Sequence, residues 1–267
     1  MGKGEISFCI IPAAGKGSRW APVSGYLPKE MLPLIDLPVI EWVVEEAINS
    51  GCKEIIVVIN KQKEAIKKYL LTHKEFHKKI KFHFVYQEKP LGITHAIQLC
   101  QKIIKDQPFA MALPDLPTIS HKPVLKQLIE AFEENQGYSH IISFSSFPSD
   151  TLSFYTECLI EQRKDKLLSI IHFCPKQTDS IPHHPGSKIR MSGRYVLKPE
   201  IFKIADDLMR SFEGTELNEV VTLKKAIEGN QQVIGLNIDG HTYDTGNPTL
   251  YVRANTAFFK KKLAKRK

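Results

Sequence analysis

Short, almost entirely apolar runs alternate with segments of helical periodicity through most of this chain. The run Glu54–Ile59 contains five apolar residues in six, and the segment 38–48 before it carries apolar residues at helical spacing. Strands that are apolar on both faces belong to parallel sheets covered by helices on each side. The alternation therefore predicts an α/β fold with a mostly parallel, Rossmann-like sheet flanked by helices.

The same patterns give the expected order of elements. Strands are predicted at 7–11, 54–59, 81–86, 109–113, 139–145, 154–162, 167–173, 189–197 and 233–238. Helices are predicted at 38–48, 62–71, 92–104, 123–135, 199–209, 217–227 and 248–262. Residues 147–187, with a Pro/His/Gly-rich loop at 182–186, are interpreted as a small strand-rich insertion. We expect one domain over 1–248, followed by a closing helix and a basic tail at 249–267.

Composition excludes several other classes of protein. No apolar run approaches the roughly 18 residues of a membrane-spanning helix, and the first residues resemble no secretory signal. The five cysteines are odd in number and include no Cys-x-x-Cys pair, which favours reduced thiols over a disulfide framework. We therefore expect a cytoplasmic protein.

The net charge of +8 is concentrated at one end of the chain. The last eight residues hold six Lys or Arg and no acid, and without those six the formal charge falls to +2. We interpret the tail as a solvated helix end, so a nucleic-acid partner is not expected. The alternative, nucleic-acid binding through this tail, predicts a steep salt dependence that disappears when the tail is deleted.

A glycine-bearing turn follows the first predicted strand. It reads Ala13-Ala14-Gly15-Lys16-Gly17-Ser18-Arg19, and Pro28-Lys29-Glu30 follows it. Glycines after a buried strand let backbone N–H groups approach an anion, and two cations add charge. Trp20 occupies the place where the dinucleotide fingerprint needs a small residue, and no Walker sequence occurs. The turn predicts a triphosphate-binding loop of another kind.

Three further polar side chains lie between predicted elements. Asp115 ends the strand at 109–113, Asp244 precedes the closing helix, and Gln87 lies five residues before Gly92. In open α/β sheets, ligands bind at the carboxyl ends of strands. An acid of this kind alone is often a turn or cap residue, whereas a glutamine can pair with the imide edge of a pyrimidine.

These residues together resemble a known family. Ala14-Gly15-x-Gly17-x-Arg19 and Pro28-Lys29-Glu30-Met31-Leu32-Pro33 are similar to the signature of nucleotide-sugar pyrophosphorylases, in particular the bacterial UTP–glucose-1-phosphate uridylyltransferase branch. The resemblance implies the nucleotide-diphospho-sugar transferase type of fold. It also implies in-line transfer from UTP (or dTTP) to a sugar-1-phosphate, with pyrophosphate as the other product. The closing helix is a candidate surface for a homo-oligomer.

The resemblance implies a role for each matching residue. It implies catalytic roles for Arg19, Lys29 and Asp115. It also implies that Asp115 and Asp244 bind a magnesium ion. The nucleotide-binding set would be Ala13, Ala14, Gly15, Gly17, Ser18, Arg19, Lys29, Glu30, Gln87 and Gly92. His95-Ala96 also matches the family's Gly-His-Ala segment. The side of the cleft that faces the sugar would be formed by Thr156, Phe173, Cys174 and Gly193.

The sugar side departs from the family pattern. Phe173-Cys174-Pro175 stands where the family carries Glu-Lys-Pro, and Tyr155-Thr156 stands in place of its Tyr-Gly. A lost charge-assisted phosphate contact would cost about 1.5–3 kcal/mol, unless another cation (Lys176, Lys188 or Arg190) replaces the lysine. Two alternatives therefore stay open beside a UDP-glucose-forming enzyme. They are a relative that binds a nucleotide without turnover, and a thymidylyltransferase of the same family.

Overall fold

The structure is a computed structural model that describes residues 5–135, 137–156, 158–174 and 188–264. Its strands are β1 Phe8–Pro12, β2 Pro33–Leu34, β3 Leu37–Pro38, β4 Glu54–Ile59, β5 Lys81–Tyr86, β6 Phe109–Ala112, β7 Thr118–Ile119, β8 His140–Ser146, β9 Cys158–Gln162, β10 Leu167–Phe173, β11 Ile189–Leu197, β12 Val233–Asn237 and β13 His241–Thr242. Its α-helices are α1 Val39–Asn49, α2 Glu64–Thr72, α3 Ile93–Ile104, α4 Val124–Glu134, α5 Glu200–Arg210, α6 Glu219–Glu228 and α7 Pro248–Ala264.

Nine strands form one large sheet in the order β5-β4-β1-β6-β11-β8-β12-β10-β9. The strands β5, β4, β1 and β6 are parallel neighbours, and β12 is parallel to β8. Both β11 and β10 run antiparallel to the strands beside them. The predicted α/β class with a mostly parallel sheet is confirmed, and the antiparallel strands make the sheet mixed in its second half.

Helices cover both faces of the sheet. On one face, α1, α2 and α4 pack in an apolar cluster around residues such as Val43, Ile66 and Leu125. On the other face, α3, α5 and α6 pack around residues such as Ile97, Phe202 and Leu223. The strand β1 supplies side chains alternately to the two clusters, as a strand buried on both faces must.

The predicted elements agree with the structure to within one or two residues, with one exception. Residues 154–162 were expected to form a single strand, but Ser149–Phe154 forms a 3-10 helix and the strand begins at Cys158. Pro148 immediately precedes that helix, and it has the extended backbone expected of a residue that starts a turn. The expectation was therefore wrong for the first part of this segment.

The insertion and the chain end occupy the edges of the fold. β9 and β10 extend the main sheet beyond β12, and the loop predicted at 182–186 lies outside the described residues. Helix α7 packs through Ala254 and Phe258 against Leu34 and Val39. None of the described helices is long and apolar enough to cross a bilayer.

Candidate active site

A cavity of about 740 Å³ opens at the carboxyl ends of β1, β5 and β6. This is the edge at which ligands of open α/β sheets bind. Most residues predicted for the site line it, namely Ala14, Gly15, Gly17, Ser18, Arg19, Lys29, Glu30, Gln87, Gly92, Asp115, Thr156, Gly193 and Asp244. Ala13, Phe173 and Cys174 are not among the described lining residues.

The predicted phosphate loop turns sharply at Gly17. Its φ of 68° lies in the left-handed region, and the 3-10 helix Ser18–Trp20 begins directly after it and carries Arg19. A side chain at Gly17 would lie 3.3 Å from the Ser24 Cβ atom and 3.8 Å from the Lys29 side chain. The glycine therefore allows the loop to fold back over the segment that bears Lys29.

Lys29 and Asp115 form an ion pair in the cavity wall. Burial disfavours the charged lysine, but the carboxylates of Asp115 and Glu30 outweigh it and raise the pKa of Lys29. Burial also disfavours the charged Asp115, yet Lys29 and then Arg19 outweigh it and hold the pKa of that carboxyl below its usual value. Both groups are therefore ionised near neutral pH.

The two aspartates and Arg19 converge on one point beside Gly246. A Cβ atom built on Gly246 would lie 2.7 Å from Asp115 Oδ2, 3.1 Å from Asp244 Oδ1 and 3.2 Å from Arg19 Nη2. Burial, followed by repulsion from Asp115, raises the pKa of Asp244 to about 6. Two carboxylates that repel each other at one point form an oxygen donor set that suits a hard divalent cation.

The rest of a cation's coordination shell would have to come from outside the protein. Within the part of the chain that the structure describes, no group of three or more His, Cys, Asp or Glu side chains could hold a metal ion. Mg²⁺ characteristically takes one or two carboxylates and fills its other positions with water and substrate phosphate oxygens. The paired aspartates fit such a shared site.

Thr245 joins the two loops that carry the aspartates. Its backbone N–H and its hydroxyl both donate to the carbonyl oxygen of Asp115, at 2.8 Å and 3.0 Å. The indole N–H of Trp20 donates to the carbonyl oxygen of Thr245 at 2.9 Å. Trp20 is the bulky residue that does not fit the dinucleotide-binding fingerprint. Its hydrogen bond connects the predicted phosphate loop to the loop that carries Asp244. Sequence patterns did not single out Thr245.

Replacing Thr245 by valine is expected to loosen this junction without changing its shape. The variant loses one buried hydrogen bond, so we expect a loss of about 1 kcal/mol in the free energy of unfolding. We also expect a higher metal concentration for half-maximal activity, because residue 245 then holds the loop of Asp115 through its backbone N–H alone and the carboxylates are held less firmly. Urea unfolding and a metal titration measure both effects. Thr245→Ser keeps the hydroxyl and serves as the matched control, so an equal loss in both variants would contradict this explanation.

Glu30 lines the cavity, but its carboxylate is already engaged. Both of its oxygens accept hydrogen bonds from the ammonium group of Lys63, at 2.9 Å and 2.8 Å, and both side chains are buried. Burial lowers the pKa of Lys63, and the carboxylate of Glu30 opposes that effect. The carboxylate of Glu30 also raises the pKa of Lys29, so it helps to keep that lysine charged.

Another part of the cavity wall is formed at the end of β5 and the start of α3. Gln87 is buried, and its amide nitrogen donates to the carbonyl oxygen of Gly92 at 2.9 Å. A Cβ atom on Gly92 would lie only 2.2 Å from the carbonyl oxygen of Leu217. The main chain of Leu217 thus occupies the space that a side chain at position 92 would need, so only glycine fits there. Sequence patterns did not reveal this reason for the glycine.

The predicted sugar-side residues are divided between the cavity and the core. Thr156 and Gly193 line the cavity, whereas Phe173 is buried in the apolar cluster on the α3 face of the sheet. Tyr155 lines the cavity and stacks on Phe147 with ring centroids 3.9 Å apart. Burial, and then the carboxylates of Asp244 and Asp115, raise the pKa of Tyr155, so its hydroxyl stays neutral.

A fully buried ion pair fixes the loop that carries Asp115. Arg194 donates to both carboxylate oxygens of Glu46, at 3.0 Å and 2.8 Å. The same guanidinium donates to the carbonyl oxygens of Leu113, at 3.4 Å, and Leu116, at 2.8 Å, on either side of Asp115. Arg194 therefore connects the Asp115 loop to helix α1.

Arg19 follows β1 and Asp115 follows β6, so both lie at the edge of the parallel strands where sheets of this kind bind nucleotides. The family model for nucleotidyl transferases matches residues 8–261. The chain therefore belongs to the nucleotidyl transferase family, which confirms the predicted relationship.

Individual relatives agree over nearly the whole chain. A UTP–glucose-1-phosphate uridylyltransferase of Staphylococcus epidermidis is 32% identical, and the match covers 95% of this chain and 92% of the relative. The Bacillus subtilis protein of the same name is 30% identical over 95% of this chain and 91% of its own length. A UDP-glucose pyrophosphorylase complexed with UDP-glucose matches the structure with a TM-score of 0.84 at 29% identity, covering 96% of this chain and 100% of that one.

Proposed function

We propose that this protein joins UTP and glucose-1-phosphate to give UDP-glucose and pyrophosphate. The observation that carries the proposal is the convergence of Arg19, Asp115 and Asp244 on one point of the cavity. The cavity volume of about 740 Å³ is in the range of small-molecule sites. The substrates are suggested by the relatives named UTP–glucose-1-phosphate uridylyltransferase and by the similar structure that holds UDP-glucose.

In the proposed reaction, a phosphate oxygen of glucose-1-phosphate attacks the α-phosphorus of UTP. The bond from that phosphorus to the oxygen bridging the α- and β-phosphates breaks, and pyrophosphate leaves with the electron pair. Arg19 would bind the β- and γ-phosphates, and Lys29 would neutralise charge on the α-phosphate or the leaving group. No general base is needed, because the attacking phosphate is already ionised.

Nucleotidyltransferases of this type generally use a divalent metal. The proposed metal is Mg²⁺, and Asp115 and Asp244 would hold it. When bound, the ion would supply positive charge to the triphosphate and to the pyrophosphate that forms. The raised pKa of Asp244 supports a cation at this point, because a cation would relieve the repulsion between the carboxylates.

One observation favours a second candidate, a relative that binds a nucleotide without turnover. The cations in the described lining are Lys16, Arg19 and Lys29, all in the phosphate loop or the segment that follows it. The part of the lining at 215–220 carries two carboxylates, Glu216 and Glu219, and no cation that could bind the phosphate of the acceptor. Lys176, which the sequence offers as a replacement, lies outside the described residues.

The test is an assay of pyrophosphate release. Purified protein is incubated with Mg²⁺ and either UTP or dTTP, each with glucose-1-phosphate and then with a panel of other sugar-1-phosphates. We expect release with UTP and glucose-1-phosphate, loss of release when EDTA removes the metal, and recovery when Mg²⁺ is added in excess. Omission of the acceptor is the control for simple hydrolysis of UTP.

A calorimetric titration of UTP in the presence of Mg²⁺ separates the candidates. UTP binding without pyrophosphate release across the panel would support the relative without turnover. A clear preference for dTTP would indicate the thymidylyltransferase. Failure to bind any nucleotide would rule out the proposed function, the relative without turnover and the thymidylyltransferase.

We also propose a cytoplasmic location. None of the five cysteines forms a disulfide, and Cys9, Cys52, Cys100 and Cys158 are buried. Thiols in that state are typical of a reducing compartment. Treatment of intact and lysed cells with a membrane-impermeant protease tests the location, and digestion in intact cells would contradict it.

A further inference from the structure

The side-chain amide of Gln87 has a fixed orientation in the wall of the cavity. The atom 2.9 Å from the carbonyl oxygen of Gly92 has to be the amide nitrogen, because a carbonyl oxygen only accepts hydrogen bonds. The same nitrogen lies 3.1 Å from Nδ1 of His95. Both hydrogens of the amide are therefore engaged by the protein, and the amide oxygen is left as the hydrogen-bonding atom available to a ligand.

We propose that His95 is the positioning residue for base selection, since it holds the Gln87 amide so that its oxygen accepts from the ring N–H of a uracil or thymine base. The inference rests on the proposed function, because it assumes a nucleotide whose base lies against Gln87. His95 does not itself belong to the described lining of the cavity, whereas its neighbours Ile93 and Ala96 do. It therefore acts through Gln87 and not through direct contact with the base.

The protonation state of His95 agrees with this role. Nδ1 accepts a hydrogen bond from Gln87 only when it carries no proton. Burial lowers the pKa of His95, and a hydrogen bond with the backbone of Lys89 opposes that effect. The imidazole is therefore neutral near neutral pH, and a hydrogen bond accepted at Nδ1 requires its single proton to be on Nε2.

The consequence is selection between pyrimidines. Uracil and thymine present a ring N–H at the edge that pairs with the amide oxygen, whereas cytosine presents a ring nitrogen with a lone pair. An amide oxygen that cannot rotate would meet that lone pair and make no hydrogen bond. The arrangement therefore discriminates UTP and dTTP from CTP, and it does not discriminate UTP from dTTP.

Two variants distinguish the loss of the hydrogen bond that orients Gln87 from a general disturbance of the fold around residue 95. His95→Phe keeps a ring of similar size but has no acceptor for the Gln87 amide. His95→Asn places an amide oxygen near the position of Nδ1 and can still accept. The dissociation constants of UTP and CTP are measured by calorimetry with Mg²⁺ for the wild type and both variants, and no turnover is required.

We expect the wild type to bind UTP more tightly than CTP. The ratio of the CTP to the UTP dissociation constant should fall about tenfold in His95→Phe, the size of effect expected from one hydrogen bond, and should stay near the wild-type value in His95→Asn. An unchanged ratio in folded His95→Phe would overturn the inference, and so would equal losses in both variants. Because His95→Phe could fail to fold, the wild-type ratio is a second measurement, and equal binding of UTP and CTP would overturn the inference by itself.

The outcomes also distinguish this inference from the proposed function. A wild type that binds UTP with an unaltered ratio in the variants overturns only the role of His95. A wild type that binds neither UTP nor CTP overturns the proposed function and this inference together.

Discussion

Replacing Asp115 by asparagine is expected to lower kcat for pyrophosphate release by about 10²–10³-fold, the effect of removing one preorganised electrostatic group. The asparagine has nearly the same shape, so the change removes the charge and leaves the packing. The variant loses one of two carboxylates that meet beside Gly246, and it also leaves Lys29 without its ion-pair partner. Initial rates at saturating UTP, glucose-1-phosphate and Mg²⁺ measure the effect.

Asp150→Asn is the matched control for this prediction. Asp150 is an exposed acid that pairs with Arg253 on the surface and is not among the described residues that line the cavity, so its replacement should leave kcat unchanged. Circular dichroism and the melting temperature of each variant establish that both are folded at the assay temperature. Wild-type activity in Asp115→Asn would contradict the assigned role of Asp115.

Replacing Arg194 by methionine is expected to give the largest loss of stability, about 3–5 kcal/mol in the free energy of unfolding. Methionine approximates the length of the arginine stem but leaves the carboxylate of Glu46 buried without its cation. Glu46 also accepts hydrogen bonds from the hydroxyl of Thr118 at 2.7 Å and the backbone N–H of Leu125 at 3.0 Å, so it cannot move to solvent freely. Urea unfolding gives the measurement.

The double variant Glu46→Gln with Arg194→Met tests the cause of that loss. The glutamine is neutral and its oxygen can still accept from Thr118 or Leu125. We therefore expect the double variant to be more stable than Arg194→Met alone, because the uncompensated charge is gone. Equal or greater destabilisation in the double variant would show that lost packing and lost contacts to the carbonyl oxygens of the Asp115 loop dominate instead.

The fold was largely predictable, because burial on both faces leaves a strong signal in strands such as β1 and β4. The antiparallel direction of β11 was not predictable, because the sequence pattern of a single strand does not indicate its direction relative to its neighbours. The 3-10 helix Ser149–Phe154 was missed for a related reason. The aromatic residues at 154 and 155 favour a strand, whereas tertiary packing beside the helix, such as the stacking of Tyr155 on Phe147, favours another conformation.

The site was predictable where chemistry dictates both the residue type and the spacing. Arg19 and Lys29 were identified from their spacing after the glycine turn, whereas the roles of Asp115 and Asp244 were implied by the family resemblance. The structure brings all four to one cavity. The residues that hold them in place left no such signal. Thr245 acts through its backbone as well as its hydroxyl, and the partners Arg194 and Glu46 are 148 positions apart, so only the folded chain joins them.

The close contact between Gly92 and the main chain of Leu217 has a consequence for how this site can evolve. Leu217 stands directly after Glu216, which lines the cavity, and the carbonyl oxygen of Gly92 accepts a hydrogen bond from Gln87, which lines the cavity as well. A shift of the Leu217 segment to admit a bulkier acceptor would uncover the backbone at Gly92. Adaptation to a new acceptor and affinity for the nucleotide are therefore mechanically coupled, and changes at 214–219 should alter both together.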